Sequence, residues 1–543
     1  MRAPAVPIAL TVVLLAAGCG STSGDGEAEA SVGAVTSAPD ARLTLVADED
    51  AAASAASTSR ALFDSAEVAV VARDGDDAGT LLAASAAVGL GVPLLVEPAD
   101  GGPADVLTAE LDRLGTTTVL AVGDAEAAGG DHEVLAVPAA AESVAAATGL
   151  DLAETSEVDD AAAAAAVAGL DGEEPVALLA GDEEAPADDV DRLPGVERAA
   201  PLDGTLVLAT GSTTTLAGIA TARAAGARVH VGGTDPRADA DLVGLLGEDQ
   251  PQAVLALGPE YAAEEGLDWK LETAATGRQL PGGGQLLFPG HFLVALYGHP
   301  GSGALGVLGE QDAAASVERA RAHAAPYEEL VPDATVVPAF EIIATVASEF
   351  AGPDGNYSVE VPAEELRPWV EAAGEAGLYV VLDLQPGRTD FVTQAEQYRS
   401  LLELPHVGLA LDPEWRLGPG QVHLTQIGSV SVDEVNRVVT WLADLTRAGD
   451  LPQKLLVLHQ FRVGMIPERE RLDTSRDELA VMVHADGQGG QGDKQATWQA
   501  LRQTDPDAVH WGWKNFYDED APMLSPEETI AQVSPRPHLI SYQ

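Results

Sequence analysis

Residues 407–415 read VGLALDPEW: an apolar run followed by two acids and a tryptophan. Because the run is apolar on both faces, it predicts a buried parallel β-strand rather than a half-exposed one. Asp412 and Glu414 follow the run directly, so the strand delivers two carboxyl groups to one point. The stretch therefore predicts a strand that ends at a functional site.

Seven similar runs occur in the second half of the chain, and most of the gaps between them have a helical pattern. The runs are HFLVALYGH (291–299), TVVPAFEII (335–343), LYVVLDL (378–384), KLLVLHQF (454–461), LAVMVHAD (479–486), AVHWGWKNF (508–516) and HLISYQ (538–543). Eight strands alternating with helices over about 250 residues predict a (β/α)8-barrel-like domain, which we assign to 288–543. SVDE (431–434) and SPEE (525–528) each predict a capping-box helix start.

In such a barrel, functional side chains are expected where the strands end. Alternation along an extended strand predicts that Asp412 and Glu414 face the same side, with Pro413 keeping Asp412 extended. Two adjacent carboxyl groups raise the pKa of one of them, as a general acid requires. Asp383 is the best candidate for the second carboxylate of a glycosidase, followed by Asp486 and Glu341.

The predicted catalytic residues are therefore Glu414, Asp412 and Asp383. Other polar and aromatic side chains at the strand ends suit carbohydrate, so we predict that they bind the substrate. They are Trp415, Tyr297, His459, His484, Asp486, Trp511 and Trp513.

The end of the fourth strand resembles the family 18 glycoside hydrolases, in which that strand ends D-x-x-D-x-D-x-E. Here Asp412-Pro413-Glu414 matches the final D-x-E, while Val407 and Ala410 occupy the places of the two earlier acids. The resemblance implies a glycoside hydrolase in which Glu414 is the acid and Asp412 orients the acetamido group of the substrate.

Two alternatives remain open. In the first, the barrel is non-catalytic and binds glycan or is structural, with Asp412 and Glu414 neutralised by Arg388 or Arg416. In the second, a metal-dependent hydrolase uses strand-end residues as ligands, from the set His299, His459, His484, Asp383 and Asp486. The sequence contains neither H-x-H nor H-E-x-x-H, so we assign no metal ligands and no cofactor.

Two stretches in the first half of the chain share one pattern of strand, helix, glycine and strand. The pairs Gly91/Gly226 and Gly123/Gly258 are each 135 residues apart, which indicates an internal duplication. Apolar strands alternating with helices predict parallel sheets, so we assign 59–279 to a duplicated three-layer α/β region. A further strand is predicted within EPVALLAG (174–181).

The first copy resembles the type 2 cell-wall-binding repeats of Gram-positive bacteria. The matching residues are Asp77-Ala78, Gly91-Val92-Pro93-Leu94-Leu95 and Val119–Gly123. The resemblance covers about 60–265 and implies a region that holds the protein on cell-wall polysaccharide or peptidoglycan. The alternative is an α/β spacer without a ligand.

The start of the chain indicates export. Residues 1–19 combine a basic start, a short apolar run and Leu15-Ala16-Ala17-Gly18-Cys19, which resembles a bacterial lipobox and implies a lipid on Cys19. Residues 20–58 follow as a predicted flexible tether. The sequence thus predicts an extracytoplasmic protein anchored to the membrane by lipid.

The composition is strongly acidic, with 86 Asp and Glu against 29 Lys and Arg and a formal net charge of −57. A surface of this charge repels phosphate backbones, so nucleic acid is excluded as a partner.

Overall fold

The computed structural model describes residues 32–99, 105–127, 129–181, 185–187, 189–504 and 508–543. The predicted signal peptide (1–19), Cys19 and the first part of the predicted tether lie outside these residues. Within the described ranges, no helix is long and apolar enough to span a bilayer.

The first half of the chain forms short strands and helices. Its strands are β1 (Val32–Thr36), β2 (Leu43–Val46), β3 (Phe63–Ala66), β4 (Val68–Arg73), β5 (Leu94–Glu97), β6 (Thr118–Val122), β7 (Glu133–Val137), β8 (Thr155–Glu157), β9 (Ala177–Leu179), β10 (Val196–Glu197), β11 (Thr205–Ala209), β12 (Arg228–Val231) and β13 (Ala253–Leu257). Its helices are α1 (Ala51–Leu62), α2 (Asp77–Leu90), α3 (Asp105–Leu114), α4 (Ala141–Thr148), α5 (Ala163–Ala168), α6 (Leu216–Ala224), α7 (Ala240–Asp249) and α8 (Leu267–Ala274).

The two similar stretches form two parallel four-stranded sheets of matching order, β5-β4-β6-β7 and β12-β11-β13-β2. Gly91 after α2 and Gly226 after α6 both have φ of 74°, a left-handed conformation that ends each helix before the next strand. The predicted strand near 174–181 is present as β9, but it pairs with β8 in a separate two-stranded sheet.

The larger part of the predicted tether is ordered structure, which corrects the prediction for 32–58. β1 pairs with β3 and β10, while β2 forms the edge of the second four-stranded sheet beside β13. Helix α1 follows, with Ala55, Leu62 and their neighbours buried in the core. The many alanine and serine residues of α1 allow it to pack closely against neighbouring elements.

The second half of the chain forms a barrel. Its strands are β14 (His291–Gly298), β15 (Thr335–Ala347), β16 (Ser358–Glu360), β17 (Tyr379–Leu384), β18 (Val407–Leu411), β19 (Lys454–Gln460), β20 (Leu479–Ala485), β21 (His510–Asn515) and β22 (Leu539–Tyr542). Its helices are α9 (Ala313–Glu328), α10 (Ala363–Glu375), α11 (Phe391–Gln397), α12 (Arg399–Leu402), α13 (Val432–Ala448), α14 (Gln491–Arg502) and α15 (Pro526–Gln532).

Eight of these strands are parallel neighbours, and β14 pairs with both β15 and β22, so the sheet closes into a barrel. Strand β16 is antiparallel to the end of β15 and lies outside the ring. This architecture confirms the predicted fold class. Short 3-10 turns, rather than an α-helix, connect β19 to β20.

Alternation along the strands divides the barrel interior into an apolar lower half and a polar upper half. Inward positions early in the strands, such as Leu293, Val337 and Leu455, form one buried apolar cluster. Four residues later, the same inward faces carry Tyr297 and Glu341, where charged and polar groups begin. The strand ends therefore bring the polar side chains together inside the barrel.

The segment that joins the two halves closes the bottom of the barrel. Leu280, Leu287 and Phe288 belong to the same apolar cluster as the lower inward positions. The backbone of this segment is fixed to the barrel because the Gln453 N–H donates to the Gln285 carbonyl at 2.8 Å. The lower end is thus filled by apolar side chains, and the site lies at the upper end.

The first half of the chain packs against this lower end through Trp269. The Arg237 and Arg447 guanidinium carbons lie 4.6 and 4.5 Å from the centre of the Trp269 ring, one from each half of the chain. Beside them, Lys270 forms an ion pair of 2.6 Å with Asp477, which lies in the loop before β20. The mouth of the barrel is therefore on the side opposite this contact.

All four lysines in the sequence are buried. They are Lys270, Lys454, Lys494 and Lys514. Lys454, at the start of β19, donates to the carbonyls of Leu404 and Val407, and burial lowers its pKa to about 7. Lys494 forms an ion pair of 2.7 Å with Asp520. The exposed cationic side chains are consequently arginines.

Replacing Phe288 by alanine should destabilise the barrel. Phe288 is 7 % exposed and fills the lower interior, so the Phe288→Ala variant should lose about 3–5 kcal/mol of unfolding free energy. Denaturant unfolding followed by circular dichroism measures the loss. Phe350→Ala is the matched control, because Phe350 is 71 % exposed. Equal midpoints for the two variants would contradict the role of Phe288 in filling the lower interior.

Candidate functional site

A cavity of about 570 Å³ opens at the carboxyl ends of the barrel strands. Its wall includes Tyr297, Asp412, Glu414, Trp415, Asp486 and Lys514, which come from the ends of four strands. Five of these six side chains were singled out in the sequence as site residues. The cavity lies where a barrel of this type is expected to bind its ligand.

The backbone at Asp412 differs from the expected extended strand. β18 ends at Leu411, Asp412 has φ of −112° and ψ of 85°, and Pro413–Trp415 form a 3-10 turn. The predicted extended backbone from Asp412 to Glu414 is therefore wrong, because a 3-10 turn follows the strand. The turn nevertheless leaves Asp412 and Glu414 on the wall of the same cavity.

Burial and crowding raise the pKa values of both acids. For Asp412, burial acts first and the Glu414 and Asp383 carboxylates add to it, so its pKa lies well above the usual range. For Glu414, burial and then Asp486 raise the pKa to about 7, against the opposing effect of Lys514. Burial and the neighbouring carboxylates thus favour the protonated form of Asp412, and Glu414 exchanges its proton near neutral pH.

Asp383 lies on the inward face of β17 and is held by Tyr297. The Tyr297 hydroxyl donates to Asp383 Oδ2 at 2.9 Å, and the Lys514 ammonium lies 3.5 Å from the centre of the Tyr297 ring. Burial raises the pKa of Asp383 to about 6, although His459 opposes the shift. Asp383 is therefore a buried neighbour of the cavity rather than one of its lining residues.

His459 is a buried cation between carboxylates. Its Nε2 lies 2.8 Å from Glu341 Oε1 and 3.9 Å from Asp383 Oδ1, and its Nδ1 lies 3.3 Å from Asp486 Oδ2. Burial alone lowers the pKa of His459, but Glu341 and Asp486 outweigh it and hold that pKa well above its usual value. In return, ion pairing lowers the pKa values of Glu341 and Asp486 despite their burial.

His484 lies beside this pair and is neutral. Its Nδ1 is 3.9 Å from Glu341 Oε1, and its Nε2 is 3.2 Å from the Ser541 hydroxyl. Burial lowers the pKa of His484 to about 3. Gly512 makes room for the ring, because a Cβ at 512 would lie 2.7 Å from His484 Cδ2.

Three of these residues have the donor types of a metal site. One ligand atom each from Glu341, His459 and His484 lies within 4.8 Å of the other two. His299, which the metal hypothesis also named, is partly exposed, and its Nδ1 accepts from the Gly301 N–H. The structure thus brings His459 and His484 together with Glu341, but not with His299.

Neither of the two nearby arginines neutralises the acids after β18. Arg416 pairs with Glu434 at 3.1 Å, and Arg388 donates to the Gln421 carbonyl and lies over the Tyr357 ring. Within the described residues, neither arginine forms an ion pair with Asp412 or Glu414. Because the Glu434 carboxylate pairs with Arg416, only the Ser431 side chain caps the start of α13. At the start of α15, Ser525 and Glu528 form the full capping box that the sequence predicts.

Trp511 and Trp513 lie away from the cavity, which corrects their predicted role as ligand contacts. Both pack outward against Trp498 of α14, with ring centres 5.7 Å from the Trp498 ring. The inward face of β21 carries Gly512 and Lys514 instead. Lys514 was not chosen from the sequence, although it alternates with both tryptophans and so had to face the other way.

A second hollow of about 440 Å³ adjoins the main cavity. Glu414, Trp415 and Arg462 line both hollows, so Glu414 lies where the two meet. The loop after β18 forms the far wall with Leu424 and Ile427. Trp415 is half-buried, and its ring packs edge-on against His423 at 5.3 Å. The two hollows form a groove across the mouth of the barrel. No sequence pattern predicts that loop residues such as Arg462 line this groove.

Comparison with known proteins leaves the family open. No family model and no curated protein matches the chain. Among solved structures, the chain is similar to Cwp6 from Clostridium difficile, with a TM-score of 0.31 and 11 % identity over 78 % of this chain. The match spans 63 % of the Cwp6 chain, less than two thirds of its length. A similarity of this size supports no conclusion about fold or function.

The pKa of Glu414 can be measured directly. In protein labelled with ¹³C at glutamate carboxyl groups, the resonance absent from Glu414→Gln should titrate near pH 7. Asp486→Asn should lower this midpoint, because it removes a neighbouring negative charge, and Lys514→Met should raise it. A midpoint near the usual 4.5 would show that Glu414 is open to solvent.

Proposed function

We propose that the barrel is a glycoside hydrolase in which Glu414 is the general acid. The observation that carries the proposal is the position of Glu414 at the junction of two hollows, with a pKa of about 7. A sugar chain lying along the groove would place one glycosidic oxygen beside Glu414. The protonated carboxyl group then donates to that oxygen as the bond breaks.

The second carboxylate is better supplied by Asp486 than by Asp383. Asp486 lines the cavity, and its ion pair with His459 keeps it ionised at neutral pH. Asp383 is fully buried, and one of its oxygens accepts from Tyr297. In this mechanism Asp486 attacks the anomeric carbon or activates water, while Asp383 orients Tyr297.

Aromatic side chains around the acids suit a sugar ring. Trp415 offers a flat apolar surface at the junction, and Phe461 and Phe516 contribute to the wall of the main cavity. Tyr297 forms part of that wall beneath Lys514. Such surfaces exclude water from one side of the scissile bond, which strengthens electrostatic interactions there.

For the whole chain we propose an exported lipoprotein held at cell-wall polymer. The first half resembles cell-wall-binding repeats, and its contact with the lower end of the barrel leaves the mouth free. The rival proposal is a non-catalytic envelope protein whose groove binds glycan. The absence of ion pairs from Arg388 and Arg416 to the acids, within the described residues, favours the enzyme.

The test is release of new reducing ends from purified cell walls by the lipid-free protein. Glu414→Gln keeps the shape of the side chain but removes the acid, so the rate should fall about 10²-fold or more. Glu318→Gln on α9 is the matched control, because the Glu318 side chain is 74 % exposed. Absence of release by the wild type, with the protein still sedimenting with the walls, would favour the binding protein.

The pH dependence of the hydrolysis provides an independent check. Because Glu414 must be protonated to act as the acid, the rate should fall as pH rises through about 7. Lys514→Met should move this alkaline limb to higher pH, since Lys514 lowers the pKa of Glu414. A rate that stays constant from pH 6 to 9 would rule out Glu414 as the acid.

A further inference from the structure

The upper barrel buries more negative charge than positive charge. Glu341, Asp383, Asp412 and Asp486 are each at most 9 % exposed, and Glu414 adds a fifth carboxyl group at the wall. The cationic groups among them are His459 and Lys514, and Lys514 is turned toward the Tyr297 ring. Buried carboxylates need a counter-charge, which is either a proton or a cation.

Several buried atoms of this cluster lack a hydrogen-bond partner. They are Glu341 Oε2, Asp383 Oδ1, Asp412 Oδ1, Asp486 Oδ1 and His484 Nδ1. An unpaired buried polar atom costs about 1–3 kcal/mol, so several in one place indicate a missing partner. The atoms come from the ends of four different strands, so the fold itself brings them together.

We propose that Glu341, His459 and His484 bind one divalent transition-metal ion of the zinc or manganese class. Glu341 Oε1 lies 2.8 Å from His459 Nε2 and 3.9 Å from His484 Nδ1. Ligand atoms about 2.0–2.1 Å from a tetrahedral ion are about 3.3 Å apart, between these two distances. Asp383 Oδ1, 3.9 Å from His459 Nε2, is in position to become the fourth ligand.

The donor set selects the class of ion. Two imidazole nitrogens with carboxylate oxygens suit zinc, manganese or iron, whereas calcium and magnesium prefer oxygen ligands alone. Both nitrogens must be free of protons to bind, so the proton on His459 leaves to solvent as the ion enters. Ser541 beside His484 Nε2 and Asp486 beside His459 Nδ1 orient the two rings from their other nitrogens.

This ion site is separate from the proposed acid. Glu414 is not among the ligands, so the metal proposal does not depend on the glycosidase proposal. The three ligands lie beneath the cavity, and the path from solvent passes Asp486, which lines the cavity and contacts His459. The ion would supply the counter-charge that the buried carboxylates lack.

The test is metal binding by the full chain after treatment with a chelator. Zn²⁺ and Mn²⁺ are titrated separately by calorimetry in excess Mg²⁺, which occupies the carboxylates of the acidic surface. We expect one saturable site per chain and a rise in thermal stability on binding. Glu341→Gln and His484→Asn should each weaken binding by more than about tenfold.

His299→Asn is the matched control, because it changes another strand-end histidine outside the cluster and should leave the affinity unchanged. Glu414→Gln should also retain full affinity, which separates this result from the outcome of the hydrolysis test. If a ligand variant fails to fold, the wild-type titration still decides. Absence of a saturable site, or binding that survives both ligand substitutions, would overturn the proposal.

Discussion

The crowding of five carboxyl groups, four of them buried, at one end of a closed barrel is the constraint on which the rest of the site depends. Removing an unpaired ion from water costs several kcal/mol, so each acid must find a cation or keep its proton. Glu341 and Asp486 share His459 and stay ionised. Asp412 forms no ion pair within the described residues, and burial together with neighbouring carboxylates raises its pKa. The same crowding places the pKa of Glu414 in the working range of a general acid.

The closed lower end of the barrel determines that a ligand can enter only from the upper end. Leu287 and Phe288 fill the interior there, and Trp269, between two arginines, joins the first half of the chain to the outside of that end. One end is therefore closed and the other is open. A polymer held by the parallel sheets of the first half and a glycan in the mouth would contact opposite ends of the barrel.

The sequence predicted the parts of the fold that depend on local patterns. Continuous apolar runs located all eight barrel strands, and most strand-end acids and histidines meet inside the barrel. Two features were missed because they depend on distant partners. β2 is a strand because β13, about 200 residues later in the chain, pairs with it. The inward face of β21 was equally hard to predict, because tryptophans suit a binding site and a helix-covered outer face alike.

Because all four lysines are buried, the surface of the folded protein presents no lysine amino group to reagents in solution. Reagents that acylate primary amines meet no exposed lysine on the folded chain, since Lys270, Lys454, Lys494 and Lys514 are each at most 4 % exposed. Two of them occupy ion pairs, one caps backbone carbonyls at the closed end, and one lies over Tyr297 in the cavity. Lysine acylation would therefore report the opening of the structure, and a group bound in the mouth would protect Lys514 first.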